Sequence, residues 1–266
     1  MKLGFIGAGN MAEAIISGII SAKAVKPADI LVSDINKKRT TYLKGKFGVK
    51  TAAGNKDLIA GASAVIIAVK PKDIDAALKD LRENITKNTL VISIAAAIST
   101  SYIERGLANK NAVIRVMPNT PALVLSGVSA LCKGKYAGER DLRFAKKLLG
   151  SVGKVIEVKE KLMDIVTAIS GSGPAYVFLF LEGLVEAGIK YGLSKEVAET
   201  LANNTVFGAA KMVLETKETP GELRRRVTSP GGTTLEALAV FEKQQFKKII
   251  DSAVKACREK SKLLTK

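Results

Sequence analysis

The turn Gly7-Ala8-Gly9-Asn10-Met11-Ala12 constrains this chain more than any other segment. It follows Lys2-Leu3-Gly4-Phe5-Ile6, which reads as a short buried strand, and opens an apolar-periodic helix, Met11 to Ile20. Strand, G-x-G-x-x-A turn and helix in that order form a dinucleotide-binding fingerprint. Gly7 allows the tight turn, Gly9 lets backbone approach a pyrophosphate, and Ala12 keeps the helix close to the strand. Free N–H groups at the helix start face the phosphates. The alternative is an ordinary strand–helix turn with no ligand; the flanking strand and helix favour the fingerprint.

The following residues repeat the alternation. Ile30–Ser33 reads as a strand and Lys37–Lys46 as a helix. Ala64–Val69, Thr89–Ala95 and Ala112–Met117 are apolar runs that suit parallel strands covered on both faces. Helices fit between them at Lys72–Arg82 and Thr100–Leu107, and two more strand candidates, Gly127–Lys133 and Lys154–Glu157, flank a helix at Arg140–Leu149. The pattern implies an α/β fold with a Rossmann-type doubly wound parallel sheet. From Glu160 onward strand signals vanish. Pro174–Tyr191 is helical and apolar on nearly all sides, which predicts burial through an obligate dimer formed by this domain. Ser194 caps a helix running to about Thr216, Thr219-Pro220-Gly221-Glu222 has capping-box spacing, and Leu235–Phe241 and Phe246–Leu264 complete the set. We therefore expect a dinucleotide-binding domain over residues 1–159 and an all-helical dimerisation and substrate domain over 160–266.

Composition narrows the partners. Lys and Arg number 42 against 25 Asp and Glu, a net charge of +17, but the cations are spread along the chain and aromatics are scarce. That reads as a solvated basic surface that attracts anionic substrates, with no nucleic acid partner. Cys132 and Cys257 make no disulfide framework, and the absence of His argues against a metal site. The longest apolar stretch, Pro174 to Ile189, is interrupted by Glu182 and Glu186 and is too short to span a bilayer. With a strand rather than a signal peptide at the N-terminus, no membrane association and a cytoplasmic location are expected.

Cofactor choice is written in Ser33-Asp34-Ile35-Asn36-Lys37-Lys38-Arg39. Asp34 stands where an acidic residue commonly binds the ribose 2′-hydroxyl of NAD, whereas Ser33, Asn36 and the three cations suit a 2′-phosphate. The cations equally suit a solvated helix face. Ala68-Val69-Lys70-Pro71 and Ala95-Ala96-Ala97 end two other strands and should border the same cleft, although Ala95–Ala97 also suits plain helix-start packing. Met117-Pro118-Asn119-Thr120-Pro121 is a rigid turn that could present Asn119 and Thr120 to a ligand. Ser170-Gly171-Ser172-Gly173-Pro174 is either a substrate-facing helix start or a close helix crossing. Ser229-Pro230-Gly231-Gly232-Thr233-Thr234 opens a helix with N–H groups and hydroxyls that suit a carboxylate. No His is present to protonate an alkoxide, which favours reduction of a cyclic imine, whose nitrogen can arrive protonated.

GFIGAGNMA (4–12), AVKP (68–71), SIAAAI (93–98), MPNTPA (117–122), SGSGPAYVF (170–178) and SPGGTT (229–234), in that order, resemble the pyrroline-5-carboxylate reductase family nearly end to end. The resemblance implies reduction of 1-pyrroline-5-carboxylate to L-proline by NADPH or NADH. It also implies dimers, often assembled into a decamer, with the active site shared across the dimer. Cofactor contacts fall on Gly7, Ala8, Gly9, Asn10, Met11, Ser33, Asp34, Asn36, Asn55, Ala68 to Pro71 and Ala95 to Ala97. The substrate carboxylate falls to Ser229, Gly231, Gly232, Thr233 and Thr234, with Thr234 also on the ring nitrogen as the catalytic residue, and Glu160 matches a position near that site. Two features depart from the family pattern. Thr219 stands where many relatives have His, and Asp34 replaces the small or basic residue often found there, which puts the usual NADPH preference in question. A β-hydroxy-acid reductase on a similar frame would carry Lys and Asn on the helix that begins the second domain; SGSGPAY argues against it.

Overall fold

Strands whose successive side chains enter two different cores dictate the architecture. In the computed structural model, which describes residues 2–266, the first part of the chain alternates strand and helix. In order these are β1 (Leu3–Ile6), α1 (Asn10–Ser21), β2 (Ile30–Ser33), α2 (Lys37–Phe47), β3 (Lys50–Thr51), α3 (Asn55–Gly61), β4 (Ala64–Ile67), α4 (Ile74–Asn84), β5 (Leu90–Ser93), α5 (Thr100–Gly106) and β6 (Val113–Met117). Leu3, Phe5, Ile66 and Ile92 pack on one face against α1, while Ile6, Val65, Ile67 and Val91 pack on the other against α3 and α4. Every residue of β1, β4 and β5 is buried, as strands covered on both faces require.

β7 (Gly127–Lys133), α6 (Glu139–Leu149) and β8 (Gly153–Glu157) complete one sheet of order β3-β2-β1-β4-β5-β6-β7-β8. All neighbours are parallel except β6 and β7. The parallel order is interrupted once, where the β6–β7 link is built on a single turn, Thr120–Val124, too short for a crossover. Asn119 belongs to that turn: it is buried, and its Oδ1 accepts the Val128 N–H at 2.9 Å. The residue read as presented to a ligand instead ties the turn to β7. β3 and α3 had no clear sequence signal, because β3 is two exposed residues and α3 buries only Leu58 and Ile59.

Beyond β8 come α7 (Met163–Val166) and a π-helical turn, Thr167–Gly171. Gly171 lies against the end of the Met117 side chain, which would have to move to admit a Cβ there. The chain divides into two compact units, Met1–Ser172 with Cys257–Lys266, and Gly173–Ala256. This differs from a boundary at 159/160 because both neighbouring segments are tied to the first unit. Glu160 accepts Thr100 N–H and Oγ1 at 2.7 and 2.6 Å and pairs with buried Arg115 at 3.2 Å. Ser261 donates to Asp164 at 2.7 Å.

The second unit holds α8 (Gly173–Lys190), α9 (Lys195–Thr216), α10 (Pro220–Arg226), α11 (Thr233–Lys243) and the start of α12 (Phe246–Leu264). Ser194 caps α9, and Thr219 and Glu222 form the capping box of α10. α8, whose burial was expected through a dimer, has no buried residue in one copy of the chain, and Val177, Phe178, Leu179 and Phe180 stand exposed. Helical structure also runs back from α8 to Glu160, so the run Glu160–Lys190 is long and apolar enough to cross a membrane by length and composition, contrary to the shorter stretch read from sequence.

Arg115 is nearly enclosed and Glu160 is its ion-pair partner. Removing the carboxylate leaves a buried cation alone. Glu160→Ala should therefore cost about 3 kcal/mol in urea denaturation. A cost under about 0.5 kcal/mol, the level of a surface pair, would show that the pair does not hold this junction.

Candidate functional site

The strand order reverses at β1, which has β2 on one side and β4 on the other. A crevice opens there at the carboxyl ends of parallel strands. Gly7 sits in it with φ +103°, and a Cβ would lie 2.5 Å from the Ala68 carbonyl oxygen, so only glycine fits. Gly9 differs: its Cβ direction is open space. It precedes α1, whose first turn has no side-chain cap. Open room over uncapped N–H groups at the start of a twelve-residue helix is what a pyrophosphate needs. Asn10 is exposed and Met11 half-buried beside it.

The acidic and basic residues of the β2–α2 loop resolve into distinct jobs. Asp34 accepts the Ala8 N–H and the Asn36 N–H, one on each oxygen and both at 2.7 Å. Asn36 caps α2 by accepting the Lys38 N–H at 3.1 Å. Arg39 donates to the Ala8 carbonyl at 2.8 Å and to Glu13 at 2.7 Å. Glu13 also takes Tyr42 and Lys46. Burial pushes the Glu13 carboxyl up, but the hydrogen bonds from Arg39, Lys46 and Tyr42 outweigh it and hold the group below its ordinary value. Lys37 bonds the Ala53 carbonyl at 2.9 Å. Of the three consecutive cations only Lys38 has a side chain without a partner among the described residues. Ser33 lies buried at the end of β2 and offers its carbonyl to Gly7 N–H.

Neighbouring strand ends complete the lining. Ala68 continues the β1 pairing through its N–H to the Ile6 carbonyl. Lys70 is extended before Pro71, as a residue preceding proline should be, and both are exposed. Asn55 starts α3 and donates to Asp80 at 2.7 Å. Ala95 and Ala97 are buried after β5, and Ala97 holds φ +58° without being glycine. These residues and the glycine turn share the first unit. Glu160 shares it too, with both carboxylate oxygens engaged by Thr100 and Arg115.

The remaining predicted residues lie in the second unit. Gly231 has φ +67° and turns the chain, and Gly232 packs so close to the Ser229 hydroxyl that a side chain would collide. α11 then starts without a side-chain cap, with Thr233 exposed and Thr234 half-buried in its first turn. The same unit contains an apolar cleft of about 1040 Å³ lined by Phe180, Leu235, Leu238, Phe241, Phe246 and Ile250.

A topological switch point and a glycine turn shaped for phosphates define a dinucleotide-binding fold. Residues 2–97 match the family model for NADP oxidoreductases, coenzyme F420-dependent, and residues 160–264 match the pyrroline-5-carboxylate reductase dimerisation model. The chain is 41% identical over 266 residues to the pyrroline-5-carboxylate reductase of Synechocystis sp., covering 100% of this chain and 99% of that one. It is 40% identical over 262 residues to pyrroline-5-carboxylate reductase 1 of Bacillus subtilis, covering 98% and 88%. Among solved structures it resembles the reductase of Coxiella burnetii (TM-score 0.92, 38% identity, 100% and 98% covered). It also resembles the Plasmodium falciparum reductase with NADP bound (TM-score 0.91, 35% identity, 100% and 98% covered). The chain belongs to the pyrroline-5-carboxylate reductase family.

The two glycines should separate under mutation. Gly9→Val has room, so it should keep the melting temperature within about 2 °C while weakening NADPH binding at least about tenfold. Gly7→Ala should lower stability by about 2 kcal/mol or more, through steric conflict and positive φ. Equal loss of stability in both, measured by calorimetry alongside cofactor titration, contradicts the roles assigned.

Proposed function

We propose that this chain reduces the C=N bond of 1-pyrroline-5-carboxylate to give L-proline, the last step of proline biosynthesis, with NADPH or NADH as reductant. One observation carries the reading. The phosphate-fitting turn at Gly7–Ala12 and the uncapped carboxylate-fitting turn at Ser229–Thr234 occur in one chain whose relatives are named for this reaction. When bound, the dinucleotide supplies the hydride.

The chain's own residues bind and orient. N–H groups of Asn10 and Met11 at the start of α1 hold the pyrophosphate, helped by the positive end of the helix. Ala8 N–H is committed to Asp34, so the carboxylate shapes the turn. Lys38, whose ammonium has no partner among the described residues, and the start of α2 suit a 2′-phosphate, which supports NADPH as a cofactor despite Asp34. Ala68 to Pro71 and Ala95 to Ala97 supply small, rigid backbone for the nicotinamide half. Ser229, Gly231, Gly232 and the Thr233 and Thr234 N–H groups hold the substrate carboxylate. The Thr234 hydroxyl positions the ring nitrogen and is the catalytic residue of this reading. Glu160 acts from behind, holding Thr100 after the Ala95–Ala97 loop. No residue in this scheme ligates a metal.

The second unit matches a dimerisation model, and its exposed apolar helices are the surface such a contact needs. We read the working form as a homodimer, with dimers assembling into a decamer and each active site shared between two copies. No nucleic acid or membrane partner enters the reading: the apolar face of α8 is assigned to the second copy. Both cysteines are free thiols, which suits the reducing cytoplasm.

Oxidation of NADPH and NADH should depend on added 1-pyrroline-5-carboxylate; no substrate-dependent oxidation of either would sink the assignment. Thr234→Ala should lower kcat by about tenfold to a hundredfold while leaving NADPH affinity within about twofold. Parallel loss of both would remove Thr234 from the chemistry. Sedimentation should give multiples of twice the 28.2 kDa chain mass; a monomer at micromolar concentration contradicts the dimer.

A further inference from the structure

Ala97 is a non-glycine residue in the left-handed region, at φ +58°. Such a conformation costs of order 1 kcal/mol and persists only when neighbours enforce it. The enforcing contact comes from the far end of the sequence. Lys266 N–H donates to the Ala97 carbonyl at 2.9 Å, and Ser99 N–H donates to the Lys266 carbonyl at 3.0 Å. One residue thus closes a two-bond bridge across residues 97 and 99.

Lys266 is itself anchored on both sides. Its ammonium pairs with Asp75 at 3.0 Å, and Asp75 is shared with the Tyr102 hydroxyl at 2.6 Å. Thr265 donates to the Ser261 carbonyl at 2.9 Å and to Asp164 at 3.3 Å, and the buried Ser261 hydroxyl donates to the same Asp164 oxygen at 2.7 Å. These partners come from α4, α5, α7 and α12. The opposite side of the loop is held independently by Glu160 on Thr100. α5 already has its own cap, since the Ser99 hydroxyl accepts the Tyr102 N–H, so the Lys266 bridge is not needed to start that helix. What the bridge adds is a fixed backbone at Ala97.

We propose that Lys266 is a positioning residue for the dinucleotide: its backbone bridge holds Ala97 in the conformation that receives the nicotinamide half. This rests on the reading that Ala95–Ala97 border the cofactor. Lys266→Pro removes the bridging N–H together with the ammonium, whereas Lys266→Ala removes only the ammonium.

Measurements on the 266-residue chain separate the possibilities. In the unsubstituted protein, adding NADPH should protect the amides of residues 95–100 from hydrogen exchange; no protection defeats the underlying reading. In Lys266→Pro the same amides should exchange faster without cofactor; unchanged exchange defeats the bridge itself. The Kd of NADPH and of NADH should both rise about tenfold in Lys266→Pro, and several-fold less in Lys266→Ala. KM for the dinucleotide should rise with them while kcat at saturation falls less. Adding Ala97→Gly to Lys266→Pro should recover part of the affinity, because glycine takes this conformation without penalty. Faster exchange with unchanged Kd, or equal losses in the Pro and Ala variants, overturns the proposal.

Discussion

The approach of the Gly7 backbone to the Ala68 carbonyl is the constraint on which the rest of the cofactor half depends. It joins the ends of β1 and β4, the two strands that flank the reversal of strand order. A side chain at position 7 would push them apart and move the start of α1 away from the crevice. Everything read as phosphate-binding follows from that closeness: the position of Gly9, the uncapped helix start and the approach of Asp34 to Ala8. The contact is steric and local, and it positions groups that act electrostatically over longer range.

Charge in the β2–α2 loop is used mainly to build the loop. Asp34 spends one oxygen on Ala8 and the other on Asn36, Arg39 bridges Ala8 to Glu13, and Lys37 reaches the Ala53 carbonyl. An acidic residue at this position is usually read as a hydrogen-bond acceptor for a ribose. Here two backbone donors at 2.7 Å already neutralise part of its field, which weakens its repulsion of a phosphate. The opposing signals in the sequence, one acid against three bases, therefore describe two sets of residues. Asp34 and Arg39 shape the turn, and Lys38 faces solvent.

Much of this was legible from residue patterns. The buried runs of β1, β4 and β5 and the glycine turn are local signals, and Thr219 with Glu222 marked the α10 cap to the residue. Three kinds of feature were not legible. β3 and α3 are too short and too exposed to carry a hydrophobic period. Asn119 looked available because a polar residue between two prolines reads as loop, whereas its partner, the Val128 N–H, belongs to the next strand. The surroundings of Ser33 and Glu160 were not legible either: only the folded chain shows one buried in a strand and the other shared by Thr100 and Arg115. α8 is apolar on nearly all sides and uncovered in a single copy of the chain, and it lies in the segment that matches the dimerisation model, where its expected burial was assigned to a dimer.

The absence of histidine finds a physical rationale in the proposed chemistry. Hydride addition to a protonated imine removes positive charge from the ring nitrogen as the transition state forms. A carboxylate placed on that nitrogen would stabilise the charged ground state more than the less charged transition state, and so would raise the barrier. A neutral hydroxyl such as that of Thr234 can orient the nitrogen without that cost. Negative charge on the substrate stays at its carboxylate, where the N–H groups at the start of α11 can hold it unchanged through the reaction. Uniform binding belongs at the carboxylate and weak, directional contact at the nitrogen, and the roles proposed for Ser229–Thr234 put one of each within six consecutive residues.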